Sequence, residues 1–342
     1  MSAEPALDRA ALKLHLHAAY GMQVETLSFL SAGTLPAYRA DGPGGRFFIK
    51  IVPGTRSGVQ AAQRLASEAV LLHELNQIGD PLRVPRLLPT RDGADLSTCG
   101  TFRVAVFTWI EAVNLGSTWE DALPELADLL GHLHAHTSDV TARLQHFPCP
   151  PEDFALPFEV ALLKDLSNLA HLSRTARPGM LLLRDLLLEH EATVRHHLKH
   201  ARALRVQALS RPQSFVLCHT DAHGGNVMRD ANEQLWLVDW EMARLAPPEH
   251  DLWMLLVRRP EVLPAYHSAV GRTQPLSPDV LSFYVLRRVL EDLAVDVNAI
   301  MHEHTRDEDD AETLDILSRF VLPALDQAEQ DCRSVGQVVP PH

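Results

Sequence analysis

The chain has 342 residues, which is enough for about two domains of ordinary size, and 46% of its residues are hydrophobic and 22% charged. This length and composition exclude a small disulfide-held module, a collagen-like chain and a wholly disordered one. With 31 basic and 44 acidic residues the formal net charge is −13. We therefore expect neither nucleic acid nor an anionic membrane surface as a partner.

The four cysteines lie far apart and include no Cys-x-x-Cys pair. This usage indicates reduced thiols rather than a disulfide framework or a zinc knuckle. The first twenty residues carry charges and lack the apolar run of an export signal, and no later apolar run is long enough to span a bilayer. We expect a cytoplasmic protein, present as a monomer or a homodimer.

Hydrophobic periodicity and turn residues predict a small antiparallel sheet with one packed helix in the first part of the chain. The predicted elements are a helix over 7–20, strands over 27–30, 37–40 and 46–52, a helix over 60–75 and a strand over 102–110. Tight turns separate the first three strands, so they are expected to form a meander.

The rest of the chain is predicted to be mainly helical. Helices are expected over 124–136, 158–172, 180–203, 278–301 and 311–330. Two short apolar strands, over 215–219 and 235–239, interrupt them. The pattern therefore predicts an α+β chain.

A cluster of polar side chains follows the first of these two strands. The segment 216–228 reads Val-Leu-Cys-His-Thr-Asp-Ala-His-Gly-Gly-Asn-Val-Met, and the second strand ends at Asp239. Hairpin geometry is expected to bring the two strand ends together, so that Asp221, Asn226 and Asp239 surround one point. Their oxygens suit a hard cation such as Mg²⁺, and one carboxylate remains to accept a proton. The alternative is a well-bonded turn without a ligand.

A lysine in an apolar strand is the second chemical signal. Lys50 lies between Phe48 and Val52 on one face of the predicted strand, and only four of the 31 basic residues are lysines. A buried ammonium needs a partner, and Glu68 lies on the inward stripe of the following predicted helix. The alternative is a lysine that extends to solvent beside a boundary glutamate.

The order His219-Thr-Asp221, then Asn226, then Asp239 resembles the aminoglycoside phosphotransferase and choline kinase branch of the protein-kinase-like fold. The resemblance implies that Asp221 positions and deprotonates the acceptor hydroxyl, while Asn226 and Asp239 hold magnesium. His219 and His223 match supporting positions of the branch's loop. Val-Asp-Trp-Glu stands where protein kinases have Asp-Phe-Gly, as is usual in this branch.

The resemblance also implies an α+β, two-lobed fold, with a small antiparallel-sheet N-lobe and a larger, mainly helical C-lobe. The implied lobes are a nucleotide-binding lobe over 1–112 and a catalytic and substrate-binding lobe over 113–342. The implied cofactors are ATP or GTP and Mg²⁺, with Lys50 and Glu68 on the nucleotide side.

Two further segments match the nucleotide-binding parts of this family. The loop at 31–36 stands where the family covers the phosphates, with Gly33 and Thr34 as contacts, although it lacks the full Gly-x-Gly-x-x-Gly and is also compatible with a simple hairpin turn. The hinge that pairs with the adenine edge is implied at Phe107, Thr108, Trp109 and Ile110.

The segment Leu245-Ala-Pro-Pro-Glu-His-Asp-Leu-Trp253, together with 106–114, is most similar to the spectinomycin phosphotransferase subgroup. Within it, Asp251 matches a family aspartate that supports the catalytic loop. The resemblance therefore predicts a kinase for a hydroxyl of an aminoglycoside, an aminocyclitol or another amino alcohol. Carboxylates that would hold a cationic acceptor are Glu241, Glu249 and Asp292.

Other functions remain open at this point. The acceptor is alternatively a metabolite such as choline or homoserine, since fold and catalytic residues do not fix it. His219 and His223 flanking Asp221 are also compatible with a metal-dependent hydrolase. A nucleotide-binding protein without turnover is the third possibility.

Overall fold

The computed structural model describes residues 4–31, 33, 35–144, 146–273 and 275–338. The first element is helix α1 (Arg9–Tyr20). The Asp8 side chain accepts the Ala10 N–H at its start, and Gly21 ends it with a φ of 76°. These are the residue types that cap helices, because aspartate satisfies a free N–H and glycine adopts left-handed backbone without strain.

A six-stranded antiparallel sheet follows, together with helix α2 (Arg56–Leu75). Its strands are β1 (Thr26–Leu30), β2 (Ala37–Gly42), β3 (Gly45–Val52), β4 (Leu87–Leu88), β5 (Ser97–Cys99) and β6 (Phe102–Thr108). The strand order is β1-β2-β3-β6-β4, and β5 also pairs with β6. The meander of β1, β2 and β3 matches the sequence prediction, but two helices, α1 and α2, pack on the sheet where one was predicted. Strands β4 and β5 are too short to show a periodic pattern.

The two faces of β3 have different surroundings. Ile49 and Ile51 are buried in a core that includes Leu12 and Leu16 of α1. Because side chains alternate across a strand, Phe48 and Lys50 lie on the opposite face. The sheet thus packs α1 on one side and presents Lys50 on the other.

A second sheet has the order β10-β9-β7 and comprises β7 (Ala112–Asn114), β9 (Val227–Asp230) and β10 (Leu235–Leu237). Two helices, α3 (Leu123–Ala135) and α4 (Thr137–Arg143), precede β9 along the chain. Strands β8 (Val216–Cys218) and β11 (Arg244–Ala246) form a separate pair.

The predicted hairpin between the strands at 215–219 and 235–239 is wrong, because β10 pairs with β9 and β8 pairs with β11. Asp230 explains the difference. Its Oδ1 accepts the N–H groups of Asn232 and Gln234 and so closes a tight turn between β9 and β10. The short segment Val227–Asp230 is a strand that the sequence pattern does not predict.

The remaining helices are α5 (Glu159–Ala170), α6 (Pro178–Leu209), α7 (Glu249–Arg258), α8 (Leu263–Val270), α9 (Pro278–Asn298), α10 (Asp307–Ile316) and α11 (Leu322–Val338). Helix α9 packs against α6, α7 and α11. Its buried residues include Phe283, Leu286 and Leu290, which belong to one apolar cluster with α5, α6 and α11. The predicted helix over 311–330 is α10 and α11 joined by a π-helical turn at Leu317–Val321.

The chain forms two compact units. The first comprises the described residues of Met1–Pro150, Leu217–Leu245 and Ser268–Gly271, and the second those of Pro151–Val216, Ala246–His267 and Arg272–His342. The lobe boundary at residue 112 concerns function and stays a prediction. Within the described residues, each helix is too short or too polar to cross a membrane.

Candidate functional site

Lys50 is held between two carboxylates in the first unit. Its Nζ lies 3.0 Å from Oε2 of Glu68 and 2.8 Å from Oδ1 of Asp239. The Lys50 side chain is 12% exposed and that of Glu68 only 1%. Strand β3 supplies the lysine and the next helix, α2, the glutamate. The structure thus brings together the lysine and the glutamate that the sequence pairs.

The ionisation of Lys50 follows from these neighbours. Burial alone lowers the pKa of a lysine, because the charged form loses its hydration. The charges of Glu68 and Asp239 outweigh this effect and raise the pKa of Lys50 above its ordinary value. Lys50 is therefore a fixed positive charge at neutral pH.

Glu68 also fixes the chain that follows β10. Its second oxygen, Oε1, accepts the backbone N–H of Trp240 at 3.1 Å. Asp239 has a left-handed φ of 67°, a conformation that costs free energy for a residue other than glycine. The bonds at Lys50 and Trp240 hold the Asp239 carboxylate in place despite that cost.

His219 supports the loop between β8 and β9. It is fully buried, its Nε2 lies 3.0 Å from the Val238 carbonyl oxygen, and its Nδ1 accepts the Asp221 N–H at 3.3 Å. Its ring packs edge-on against Trp240, with 4.6 Å between the ring centroids. Both ring nitrogens are engaged by backbone groups, which suits a structural histidine and not a metal ligand.

The Asp221 carboxylate is oriented from two sides. Asn226 Nδ2 donates to the Asp221 backbone oxygen and to Oδ2, both at 3.0 Å. His223 Nδ1 accepts the Gly225 N–H at 2.8 Å, and its Nε2 lies 3.4 Å from Asp221 Oδ2. Because Nδ1 is the acceptor, the ring proton is on Nε2 and faces the carboxylate.

A cavity of about 290 Å³ lies in the first unit, and Asp221, His219 and His223 are not among its lining residues. Its polar end contains Lys50, Glu68, Asn226 and Asp239, and the predicted residues Gly33 and 107–110 also line it. Thr34 lies outside the described residues. Gly225, which matches the family's loop, also lines the cavity. Sequence reasoning missed several other lining residues, which are Leu30, Leu35, Ala37, Phe48, Pro85, Met228 and Val238. The strand residues among them could have been found from the alternation of side chains, because residues on the same face of β3 as Lys50, and their partners on the neighbouring strands, face the cavity.

Glu241 lines the same cavity. Burial raises its pKa, and the nearby charge of Asp239 adds to the effect. Its Oε1 is 3.8 Å from Arg64 Nε, and its Oε2 is buried without a hydrogen-bond partner among the described residues. The structure therefore places this predicted acceptor carboxylate beside Lys50 and Asp239.

Three predicted residues belong to the second unit and do not line the cavity. Glu249 is 3% exposed and accepts the Ser277 N–H at 2.6 Å. Asp292 forms an ion pair with Arg288 at 3.0 Å on the surface of α9. Asp251 is buried in the first turn of α7. The structure engages Glu249 and Asp292 within the helical unit.

The antiparallel sheet with its buried lysine–glutamate pair, followed by the Asp221–Asn226 loop and Asp239, defines a protein-kinase-like phosphotransferase. Residues 26–284 match the model of the phosphotransferase enzyme family called APH. Protein StrN of Streptomyces griseus is 30% identical over 243 residues, which cover 68% of this chain and 70% of that protein. The chain belongs to this phosphotransferase family.

Solved structures agree with this assignment. Spectinomycin phosphotransferase APH(9)-Ia, in complex with ADP and spectinomycin, is 18% identical and has a TM-score of 0.75 over 95% of this chain and 100% of that chain. Choline kinase LicA from Streptococcus pneumoniae is 14% identical, with a TM-score of 0.58 over 95% of this chain and 98% of that chain. These structures confirm the two-lobed α+β fold. Membership of the phosphotransferase family confirms the prediction of a phosphotransferase with an alcohol group as acceptor.

Proposed function

We propose that this phosphotransferase moves the γ-phosphate of ATP to a hydroxyl of a small cationic amino alcohol. The observation that carries the proposal is the single ammonium of Lys50, fixed by Glu68 and Asp239 at the polar end of an apolar cavity. A nucleotide has the matching chemistry, because its base is apolar on both faces and its phosphates are anionic.

The proposed position of the nucleotide follows this polarity. The base lies between the apolar walls and bonds to the backbone of 107–110, while Lys50 contacts the α- and β-phosphates. GTP is the alternative donor. The structural similarity to APH(9)-Ia, which was solved in complex with ADP, supports the proposal that this protein binds a nucleotide.

The ligands for Mg²⁺ are Asn226 and Asp239, both of which line the cavity. Asn226 uses its amide nitrogen to bond Asp221, which turns its Oδ1 to the opposite side of the amide. Lys50 contacts Oδ1 of Asp239, and Oδ2 is the oxygen proposed for the cation. Amide and carboxylate oxygens suit Mg²⁺, which when bound neutralises charge on the phosphates.

Asp221 is the catalytic residue of the proposed reaction. The acceptor oxygen forms a bond to the γ-phosphorus, the bond between that phosphorus and the β-bridging oxygen breaks, and ADP leaves. The proton of the hydroxyl passes to the Asp221 carboxylate. Asn226 and His223 orient that carboxylate, and His219 supports the loop that carries it.

Spectinomycin is the first acceptor to test, since APH(9)-Ia was solved with it and the net charge of −13 favours a cationic acceptor. A role in antibiotic resistance would follow. The alternative is a metabolite kinase acting on choline or homoserine, and the likeness to choline kinase LicA supports including choline.

The test is release of ADP from Mg·ATP, or of GDP from Mg·GTP, across spectinomycin, aminoglycosides, choline and homoserine, with mass spectrometry for one added phosphate. A phosphorylated amino alcohol is expected. Release of ADP without a phosphorylated product from any acceptor would contradict the proposal, and phosphorylation of choline alone would remove spectinomycin as the substrate. A hydrolase or a non-catalytic protein would give no phosphorylated acceptor.

A further inference from the structure

Three side chains of the second unit converge on one point away from the residues discussed so far. His196 and His197 are neighbours on α6, and Glu329 lies on α11. His196 Nε2 is 3.3 Å and His197 Nδ1 is 3.6 Å from the same oxygen, Glu329 Oε1. One ligand atom from each residue lies within 4.8 Å of the other two.

The hydrogen bonding of His197 shows which of its two ring nitrogens carries the proton. His197 Nε2 lies 2.8 Å from the Leu325 carbonyl oxygen, which accepts a proton and has none to donate. The ring proton is therefore on Nε2, and Nδ1 presents a lone pair to the carboxylate. Nδ1 is buried without a hydrogen-bond partner among the described residues, and the residue is 2% exposed.

Two acceptors that face each other repel unless a positive charge lies between them. A proton on Nδ1 is one such charge, and a metal ion is the other. The distances suit a metal ion: with Zn–N and Zn–O bonds of about 2.0–2.2 Å, ligand atoms of a tetrahedral site are about 3.3–3.5 Å apart. The separations of 3.3 and 3.6 Å in this cluster are close to that value.

The surroundings of the cluster are those of a built site. A histidine that binds metal usually donates its other N–H to a carbonyl or carboxylate, as His197 does to Leu325. One turn along α6, His200 Nδ1 lies 3.0 Å from Glu329 Oε1 and so orients the carboxylate. The His196 side chain is 64% exposed, which leaves room for water to complete the coordination shell.

We propose that His196, His197 and Glu329 form a binding site for a divalent transition metal ion, with Zn²⁺ as the primary ion, that links α6 to α11. Two imidazoles and one carboxylate suit Zn²⁺, Ni²⁺ or Cu²⁺ and do not suit Mg²⁺, which prefers oxygen ligands. The ion adds a bridge between a helix of 32 residues and one of 17.

The first test is calorimetric titration of the metal-stripped full chain with ZnCl₂ above about pH 7 and without nucleotide, since metal binding must displace protons from the imidazoles. We expect saturable binding of one ion. His196→Ala is expected to weaken the affinity about tenfold or more, because it removes a ligand from an exposed position where folding is not at risk.

His190→Ala is the matched control. His190 lies on the same helix, with Nε2 3.6 Å from Asp326 Oδ2 of α11, but it offers only a histidine–carboxylate pair. Zinc affinity should be unchanged in this variant. Equal weakening in the two variants would overturn the proposal, and so would the absence of saturable binding to the unmodified chain.

Thermal unfolding gives a second readout, because a ligand that binds only the folded chain raises the unfolding midpoint. At a Zn²⁺ concentration that lies between the dissociation constants of the unmodified chain and of His196→Ala, Zn²⁺ should raise the midpoint of the unmodified chain and of His190→Ala clearly more than that of His196→Ala. Neither measurement uses phosphotransfer, so a failure here leaves the proposed function unaffected. If a proton occupies Nδ1 in place of a metal, none of these zinc effects will appear.

Discussion

Asp221 is the side chain on which the proposed reaction depends most. Its carboxylate is oriented by Asn226 and His223, and in the proposed mechanism it contacts the acceptor and not the nucleotide. Asp221→Asn should therefore lower kcat by about 10²–10⁴-fold, the usual contribution of a general base. Nucleotide affinity should remain nearly unchanged in a fluorescence or calorimetric titration. A variant that keeps more than about a tenth of the unmodified kcat would contradict this role.

Lys50 and Glu68 should act as one unit. Each single alanine variant loses the alignment of the α- and β-phosphates, so the double variant should lose less than the sum of the two changes in activation free energy. The measurement is kcat/KM for ATP in the four proteins of a double-mutant cycle. Fully additive losses would show that the pair has no joint role.

An exposed ion pair provides the control for that cycle. Arg46 Nη1 and Glu111 Oε1 are 2.7 Å apart, but their side chains are 53% and 70% exposed. Such surface pairs contribute about 0–1 kcal/mol. Glu111→Ala is therefore expected to leave kcat/KM for ATP within about twofold of the unmodified protein.

Predictability differs among residues for a physical reason. Asp221, Asn226 and Asp239 are visible in the sequence because they follow apolar strands in a fixed order, and Lys50 because a charge interrupts such a strand. Met228, Val238 and Pro85 line the same cavity but carry no chemical signal. Which apolar residues face a cavity depends on how strands and loops pack, and the sequence pattern does not specify that packing.

The loop between β8 and β9 packs closely against the turn that follows β7, and a glycine makes this close contact possible. A Cβ added at Gly224 would lie 2.0 Å from the Gly116 carbonyl oxygen and 2.8 Å from the Trp119 ring. Gly224→Ala should therefore displace the loop that carries Asp221, lower stability by about 1–3 kcal/mol and reduce kcat. Urea unfolding and the ADP-release assay measure the two effects.

Gly336→Ala in α11 is the matched glycine control. A Cβ there meets nothing within 4 Å, and alanine favours helix over glycine by up to about 1 kcal/mol. Stability should be unchanged or slightly higher and kcat unaffected. If Gly224→Ala behaved in the same way, the close approach would not matter.

Helices α7 and α9 are linked by a buried carboxyl whose protonation depends on pH. Burial raises the pKa of Glu249 to about 7, while its Oε1 accepts the Ser277 N–H at the start of α9. The folded chain keeps a proton that the unfolded chain loses near its ordinary value of 4.5. The protonated Glu249 therefore contributes fully to the free energy of unfolding below about pH 4.5. This contribution to stability falls as pH rises and is lost above about pH 7.

Glu249→Gln should remove that part of the pH dependence, because glutamine stays neutral and still accepts the Ser277 N–H. Thermal unfolding from about pH 5 to about pH 8 should show a smaller decline for the variant than for the unmodified chain. Identical pH profiles for the two proteins would mean that Glu249 does not titrate in this range.

Elements were predictable where local pattern and tertiary contacts agree. The meander at β1–β3 and the amphipathic helices α1, α3 and α5 follow from periodicity and turn residues. The pairing of β10 with β9 was not predictable from the same rules, because β9 has only four residues and its turn is set by the side chain of Asp230.

At the scale of the whole molecule, the charge of −13 is the property most relevant to substrate encounter. A negative field raises the local concentration of a cationic acceptor, and salt screens it over a Debye length of about 10 Å at 0.1 M. With Mg·ATP held saturating, kcat/KM for a dicationic acceptor such as spectinomycin should fall as NaCl rises from about 0.02 to about 0.3 M, by an amount on the order of tenfold.

An uncharged acceptor separates this effect from a general effect of salt on the enzyme. The same acceptor with its amines acetylated loses the attraction, so its kcat/KM should be lower at low salt and nearly independent of NaCl. Equal salt dependence for the charged and the acetylated acceptor would show that the salt acts on the protein or on nucleotide binding. Salt independence for both would mean that the net charge has no part in acceptor encounter and that recognition depends on contacts at short range.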